Sequence, residues 1–291
     1  ATVGGFTLAS RTLGFVRDVM VASYLGAGAA ADAFFVAFKF PNFFRRLFAE
    51  GAFNAAFLPM FAGRLATLGA SGARAFAEDA LAVLLTTLLV FLIVAEATMG
   101  WLMMALAPGF LDEPEKYRLA VHFARITFPY LLFISLVSLF GGVLNSLARF
   151  AAVAATPIFL NLALIAALLG FTQVLPGAGH ALAWGVAAAG IVQFAWLAGA
   201  AQVAGMGLRL KWPRLTPEIR RLATLMLPAA FVSGVVQVNL MIDVVLASLL
   251  PTGAVSYLYY ADRLYELPLA VIGIAIGTAI LPRLAREVRA T

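Results

Sequence analysis

Between Arg149 and Arg209 the chain carries no Asp, Glu, Lys or Arg. The Pro-Gly run at Leu175–Gly179 divides that stretch in two, and each part approaches the ~20 apolar residues that cross a bilayer as a helix. Elsewhere the chain is nearly as poor in charge, with 63% hydrophobic and 12% charged residues and a mean hydropathy of +0.98. A soluble domain averages about a quarter charged residues, enough to cover its surface in water. This chain has lipid as its main solvent. The sequence predicts an all-α polytopic membrane protein.

The same length rule gives eight spans: Val3–Leu25, Ala31–Ala62, Glu78–Ala107, Arg118–Leu147, Ala152–Phe171, His180–Val203, Ile219–Leu250 and Ala254–Arg286. The second is too long for one straight crossing, and Pro41 and Gly51 predict a kink or break in it. The first, interrupted by Arg11, Arg17 and Asp18, reads as a span rather than a cleavable signal. Loops after even spans, with the tail, hold 11 basic residues from Arg64 to Arg289, whereas the opposite loops hold only Lys116 and Arg118. The positive-inside bias therefore predicts a cytoplasmic N-terminus. It also accounts for the net charge of +6, so nucleic acid is not an expected partner; membrane lipids are. There is no Cys, which excludes disulfides and thiol chemistry. His122 and His180 are far apart in sequence and near span ends, so neither predicts a metal site, and no cofactor is expected.

The segment Asp18–Ala29 matches Asp243–Ala254 at a constant offset of 225, with seven of twelve positions identical. Both copies continue through aromatic pairs, Phe34-Phe35 and Tyr259-Tyr260, to Leu58-Pro59 and Leu281-Pro282. Six spans separate the copies, so they share an orientation. A parallel repeat with a site between its halves is a transporter architecture. It predicts a six-helix lobe over 1–208, then a linker and the first two helices of a second lobe over 209–291. The chain would then be a fragment.

Seven basic residues fall within spans and away from their ends: Arg11, Arg17, Lys39, Arg45, Arg46, Arg125 and Arg263. A mid-membrane charge costs about 2.5–3.5 kcal/mol on insertion scales, so such groups face protein or water. At helical spacing Thr7, Ser10, Arg11, Gly14, Arg17 and Asp18 share one face of the first span. Asp32, Lys39, Arg46 and Glu50 fall near one line of the second, with Asn42 and Arg45 beside it. Tyr259, Asp262, Arg263 and Glu266 repeat the pattern in the eighth. Internal salt bridges would explain these charges. Arg, however, outnumbers the alternatives, and its planar fork suits carboxylate or phosphate, which favours a cavity for an anionic headgroup. Asp243 lacks a nearby cation in sequence and is either a cavity residue or a ligand for a monovalent coupling cation. Glu96 and Arg125 have no partner on their own spans. No Asp-Asp-x-x-Asp or His-Glu-x-x-His motif supports an intramembrane enzyme acting on polyprenyl diphosphates.

The stretches Ser10–Asp18, Ala31–Lys39, Pro41–Phe53 and Tyr259–Arg263, with Thr127-Phe-Pro-Tyr130 and Leu144-Asn-Ser146, resemble the signature segments of the MurJ (MviN) family of lipid II flippases. The resemblance implies the fold of the multidrug/oligosaccharidyl-lipid/polysaccharide exporter superfamily, with two six-helix lobes around a central cavity. It implies that Arg11, Arg17, Arg45 and Arg263 engage the lipid II diphosphate and that Asn42 belongs to the same motif. Asp18, Asp32, Glu50 and Asp262 would be acidic partners or gates. A bacterial inner-membrane location follows, with lipid II as partner. A related exporter of drugs or other polyprenyl-linked sugars is the alternative.

Overall fold

The computed structural model describes residues 2–265, and among these there is no strand. Helix α1 covers Thr2–Leu25 and α2 covers Ala29–Phe44. After α2 the helix widens into π-type turns over Arg45–Phe53 before α3, Asn54–Ala97, resumes α pitch. Then come α4 (Met99–Leu106), a 3-10 turn (Pro108–Asp112), α5 (Pro114–Thr127) and α6 (Tyr130–Ser146). Helices α7 (Phe150–Phe171), α8 (Ala178–Val203) and α9 (Pro217–Ser248) follow, and α10 runs over 254–265.

Five stretches are long and apolar enough to cross a membrane: Gly51–Ala97, Pro114–Ser146, Phe150–Phe171, Ala178–Val203 and Pro217–Ser248. The first two expected spans fall short of that measure. Helix α1 carries Arg11, Arg17 and Asp18, and α2 has 16 residues before its pitch changes. A count of eight stays an expectation. Between the second and third expected spans there is also no loop. Helix α3 continues through the basic segment and is broken only at Gly69, whose φ of 67° is open to glycine at little cost.

Helix α7 packs between α1 and α8, α8 lies against α6, and α6 against α3. Helix α2 packs on α5, while α9 crosses the π-type turns and α3. The core is strongly aromatic. Phe57 stacks with Phe53, Phe61 and Phe76, and Phe40, Phe44, Phe91 and Phe128 form a second cluster. Helix α9 approaches this body closely at two glycines. A Cβ on Gly51 would lie 2.6 Å from Ser233 Oγ, and one on Gly109 would lie 2.0 Å from the Ser248 carbonyl oxygen.

Pro41, inside α2, has a local remedy. Pro41 cannot donate to the Ala37 carbonyl one turn back. The hydroxyl of Thr127, fully buried on α5, is shared between that carbonyl at 3.2 Å and the Ala124 carbonyl of its own helix at 3.3 Å. Thr127 thereby joins α5 to α2 where α2 is weakest. Thr127→Val should leave the carbonyl unpaired at a cost of about 1–3 kcal/mol, seen as a lower Tm in detergent. In a Pro41→Ala background, which restores the backbone donor, the same change should cost much less; equal losses in both backgrounds would refute this account.

Candidate functional site

Two polar clusters connect the first helix pair to the last. The first lies along α1. Arg17 donates from Nε and Nη2 to Asp18 Oδ1 at 2.9 and 2.6 Å, and from Nη1 to Asn161 Oδ1 of α7 at 2.8 Å. Asn161 in turn donates to the Ser10 carbonyl at 2.9 Å. Gly14 of α1 lies beside this pair, where a Cβ would meet Asn161 Nδ2 at an ordinary contact distance of 3.6 Å. Three of the five guanidinium N–H groups are thus engaged and two remain.

Helix α10 brings Arg263 to this cluster. Its guanidinium lies over the Tyr259 ring at 5.1 Å, and Tyr259 feels the charges of Arg263, Arg17 and Asp18. Lys39 of α2 feels Asp262, Asp243, Arg263 and Arg46. Asp243 therefore has a cation within electrostatic reach after all, supplied by another helix. Asn42 donates to the Phe38 carbonyl at 2.7 Å and accepts from Arg45 Nε at 3.0 Å, which orients Arg45 at the start of the π-type turns. Arg11 is exposed on α1 and makes no ion pair among the described residues. The side chain of Glu50 lies outside the described residues, as do Glu266 and the Leu281-Pro282 end of the repeat.

The second cluster gathers where the α1–α2 turn meets the α9–α10 turn. Asp32, in the first turn of α2, is 1% exposed. Its Oδ2 accepts from the Gly253 amide at 2.7 Å, and its Oδ1 from the amide and hydroxyl of Ser256 at 2.8 and 2.5 Å. Lys116 of α5, equally buried, places Nζ 3.2 Å from Oδ2 and 4.3 Å from the Phe110 ring centre. Asp32 is thus the N-terminal cap of α10, provided from another helix, and its charge opposes the positive end of that helix dipole. The helical line placed Asp32 with Lys39 and Arg46; the structure gives it Lys116 as its ion-pair partner.

Around this core Lys116 also donates to Thr252 Oγ1 at 3.0 Å and pairs with Glu113 at 3.3 Å. The Thr252 hydroxyl donates to Glu113 Oε1 at 2.5 Å. Hydrogen bonds from Thr252 and Lys116 hold the Glu113 carboxyl below the usual carboxylate range. Tyr260 closes the junction by donating to the Gly26 carbonyl at 2.7 Å. In sequence Lys116 and Glu113 are loop charges and nothing more; Asn161 is one polar residue in an apolar span. Only the juxtaposition of residues 84 or more apart in sequence gives them roles.

Two further readings change. His122 and His180, distant in sequence, stand with ring centres 5.3 Å apart, yet no group of three metal-ligating side chains exists among the described residues. Arg125, without a partner on its own span, supplies a nearby positive charge to Glu96 of α3.

The sequence model of the family described as "Lipid II flippase MurJ" matches residues 21–291. The chain belongs to the MurJ family. It is 50% identical over 293 residues to a probable lipid II flippase MurJ of Rhizobium meliloti (strain 1021), covering 99% of this chain and 55% of that protein. It is 40% identical over 289 residues to the lipid II flippase MurJ of Burkholderia cenocepacia, covering 98% of this chain and 56% of the relative. Among solved structures, a lipid II flippase MurJ in an inward closed conformation superposes with a TM-score of 0.81 at 25% identity, over 99% of this chain and 59% of the other. A multidrug resistance MATE transporter of the MOP superfamily matches in fold, with a TM-score of 0.63 at 18% identity over 89% of this chain and 58% of that one. The chain spans about half the length of the curated MurJ relatives it matches.

The junction at Asp32 yields a graded expectation. Asp32→Ala removes the buried partner of Lys116 and leaves it only Glu113 at the rim, at a cost approaching about 3–5 kcal/mol. Lys116→Met leaves Asp32 with three donors and should cost less. A single Cys at Val255, buried at the junction but outside the hydrogen bonds to Asp32, in a chain with none of its own, should label quickly with an impermeant maleimide in the Asp32→Ala variant and slowly in Lys116→Met. Equal rates would refute the ranking. The depressed Glu113 sets a pH window. Its contribution is full above the ordinary carboxylate value of about 4.3 and is lost as pH falls through the depressed value. Acidification below about 4.3 should lower the Tm, and Glu113→Gln should flatten that response.

Proposed function

We propose that this chain is the headgroup-handling portion of a membrane transporter that flips lipid II from the cytoplasmic to the periplasmic leaflet by alternating access. The observation that carries the reading is the gathering of Arg17 and Arg263, from opposite ends of the sequence, about Tyr259. In this reading the lipid II diphosphate binds Arg17 and Arg263 and extends to Arg11 and Arg45, with Asn42 orienting Arg45. Asp18 holds Arg17 in place while the site is empty. The undecaprenyl tail stays in lipid. No covalent bond changes, so the role is that of a transporter, not an enzyme.

The N-terminus is cytoplasmic and the Asp32 junction periplasmic, an orientation supported by the positive-inside bias. Asp32 then acts as the outer gate: joined as here, it closes the periplasmic side while the arginines await substrate from the cytoplasm. Residues 1–208 form one lobe and 209–291 open the second, so opening would part α10 from α2. Asp243 would take a monovalent coupling cation only by competing with Lys39 and the neighbouring arginines.

Native mass spectrometry of the purified chain with lipid II tests the arginine site. Loss of one charged hydrogen-bonding partner costs about 1.5–3 kcal/mol, so Arg17→Ala and Arg263→Ala should each weaken binding roughly tenfold or more. Equal affinity of parent and variants would make the arginines structural. In the full-length protein the same variants should fail to support wall synthesis. If they lost drug tolerance instead, the related exporter would be the better reading.

A further inference from the structure

The turn between α6 and α7 has an unusual residue. Ala148 has φ 58°, a left-handed conformation that helix ends generally give to glycine. It lets the Arg149 amide reach back to the Leu144 carbonyl at 2.9 Å. The turn sets Arg149 at the edge of a groove of about 690 Å³. Phe6 of α1, Leu144 of α6, Ala152 of α7, and Trp196, Ala200 and Val203 of α8 line it. The walls are almost wholly apolar. Even the indole N–H of Trp196 is bound, donating to the Ala152 carbonyl at 2.9 Å.

Arg149 is exposed and makes no ion pair or side-chain hydrogen bond among the described residues. Arg149 is the basic residue that lines the groove, and three others of the neighbouring segments are occupied. Arg64 pairs with Glu218 at 3.0 Å, Lys211 with Glu78 at 2.6 Å, and Arg74 donates to the Gly205 carbonyl. A free guanidinium therefore stands over an apolar groove of a size common to ligand sites. Helices α7 and α8 are both long and apolar enough to span a membrane, so a ligand reaching their ends comes from the bilayer. Its chemistry must be an anionic head on a hydrocarbon tail.

We propose that this groove is a binding site for an anionic glycerophospholipid, with an acyl chain along α8 and the phosphate on Arg149. The site lies apart from the arginines of α1 and α10 and does not rest on the transport reading. Arg149 is the selective element, because a guanidinium meets phosphate with paired, charge-assisted hydrogen bonds. The groove provides affinity without regard to headgroup.

The full chain, delipidated in mild detergent, is titrated with phosphatidylglycerol or with phosphatidylcholine of the same acyl chains, and bound copies are counted by native mass spectrometry. One phosphatidylglycerol should bind in preference. Arg149→Gln should reduce that preference roughly tenfold, and Arg149→Lys should restore part of it. A Cβ at Gly199, on the groove wall, meets nothing within 4 Å, so Gly199→Phe should fill the groove without a clash and abolish binding of both lipids. If that variant has a lower Tm than the parent, Ala152→Leu takes its place. Retained binding in the filled variant, or an unchanged preference in Arg149→Gln, would overturn the proposal. Displacement of phosphatidylglycerol by equimolar undecaprenyl phosphate would also overturn it, since the groove would then serve a prenyl tail.

Discussion

The carboxylate of Asp32 is the point on which the relation between the two ends of the chain depends. Two amides, one hydroxyl and one ammonium converge on its two oxygens in a space closed to solvent. A buried carboxylate is costly unless its oxygens are bonded, and the free amides at a helix start are costly unless they find acceptors. Each group here relieves the other's cost. Half-open arrangements would leave either the carboxylate or Lys116 unpaired in a low dielectric, so the junction favours being fully made or fully broken. Such a contact suits the gate proposed above.

The cluster around Arg17 has a different character. Asp18 is its immediate neighbour and Asn161 comes from α7, so the guanidinium is fixed within the first body. Breaking the Asp32 junction would not release it. Its pairing lowers the cost of carrying a cation at membrane depth and fixes the direction of the two N–H groups still free. An anion bound there, as proposed, would meet donors already oriented, with little ordering left to be done. The approach of Arg263 does depend on α10. The cationic surface is therefore assembled from a fixed half and a half that follows the junction.

Much of this was legible in the sequence, for identifiable reasons. The uncharged run after Arg149 became α7 and α8 because its length and polarity leave few other folds. The offset of 225 placed the start of α10, at 254, against that of α2, at 29. Charges within spans marked Arg17 and Arg263 because charge in lipid is too expensive to be incidental. What stayed hidden depends on long-range pairing or on pitch. Lys116 lay among charges assigned to a loop, yet it is buried against Asp32. Thr127 answers a carbonyl freed by Pro41, a match invisible until α5 lies on α2. The irregularity that Pro41 and Gly51 mark in the second span takes the form of π-type turns after Phe44, a change of pitch that a proline and a glycine do not specify.

The repeat also explains why the junction forms where it does. At an offset of 225, Phe35 corresponds to Tyr260, and these two rings meet edge to face with centres 5.4 Å apart. Phe35 also stacks on Tyr259 at 3.9 Å. Two equivalent residues touch each other only near an axis that relates their copies, as in an isologous dimer contact. The hydrogen bonds cross the same way: Tyr260 of α10 reaches the α1–α2 turn at Gly26, and Asp32 of α2 reaches the α9–α10 turn at Gly253. The two sides are not equal, since the counterpart of Asp32 is Tyr257, which is exposed. One copy therefore contributes the charge and the other the amides that receive it. A duplicated helix pair would have met its twin through rings alone; a single carboxylate on one side turns that symmetric contact into a directional latch.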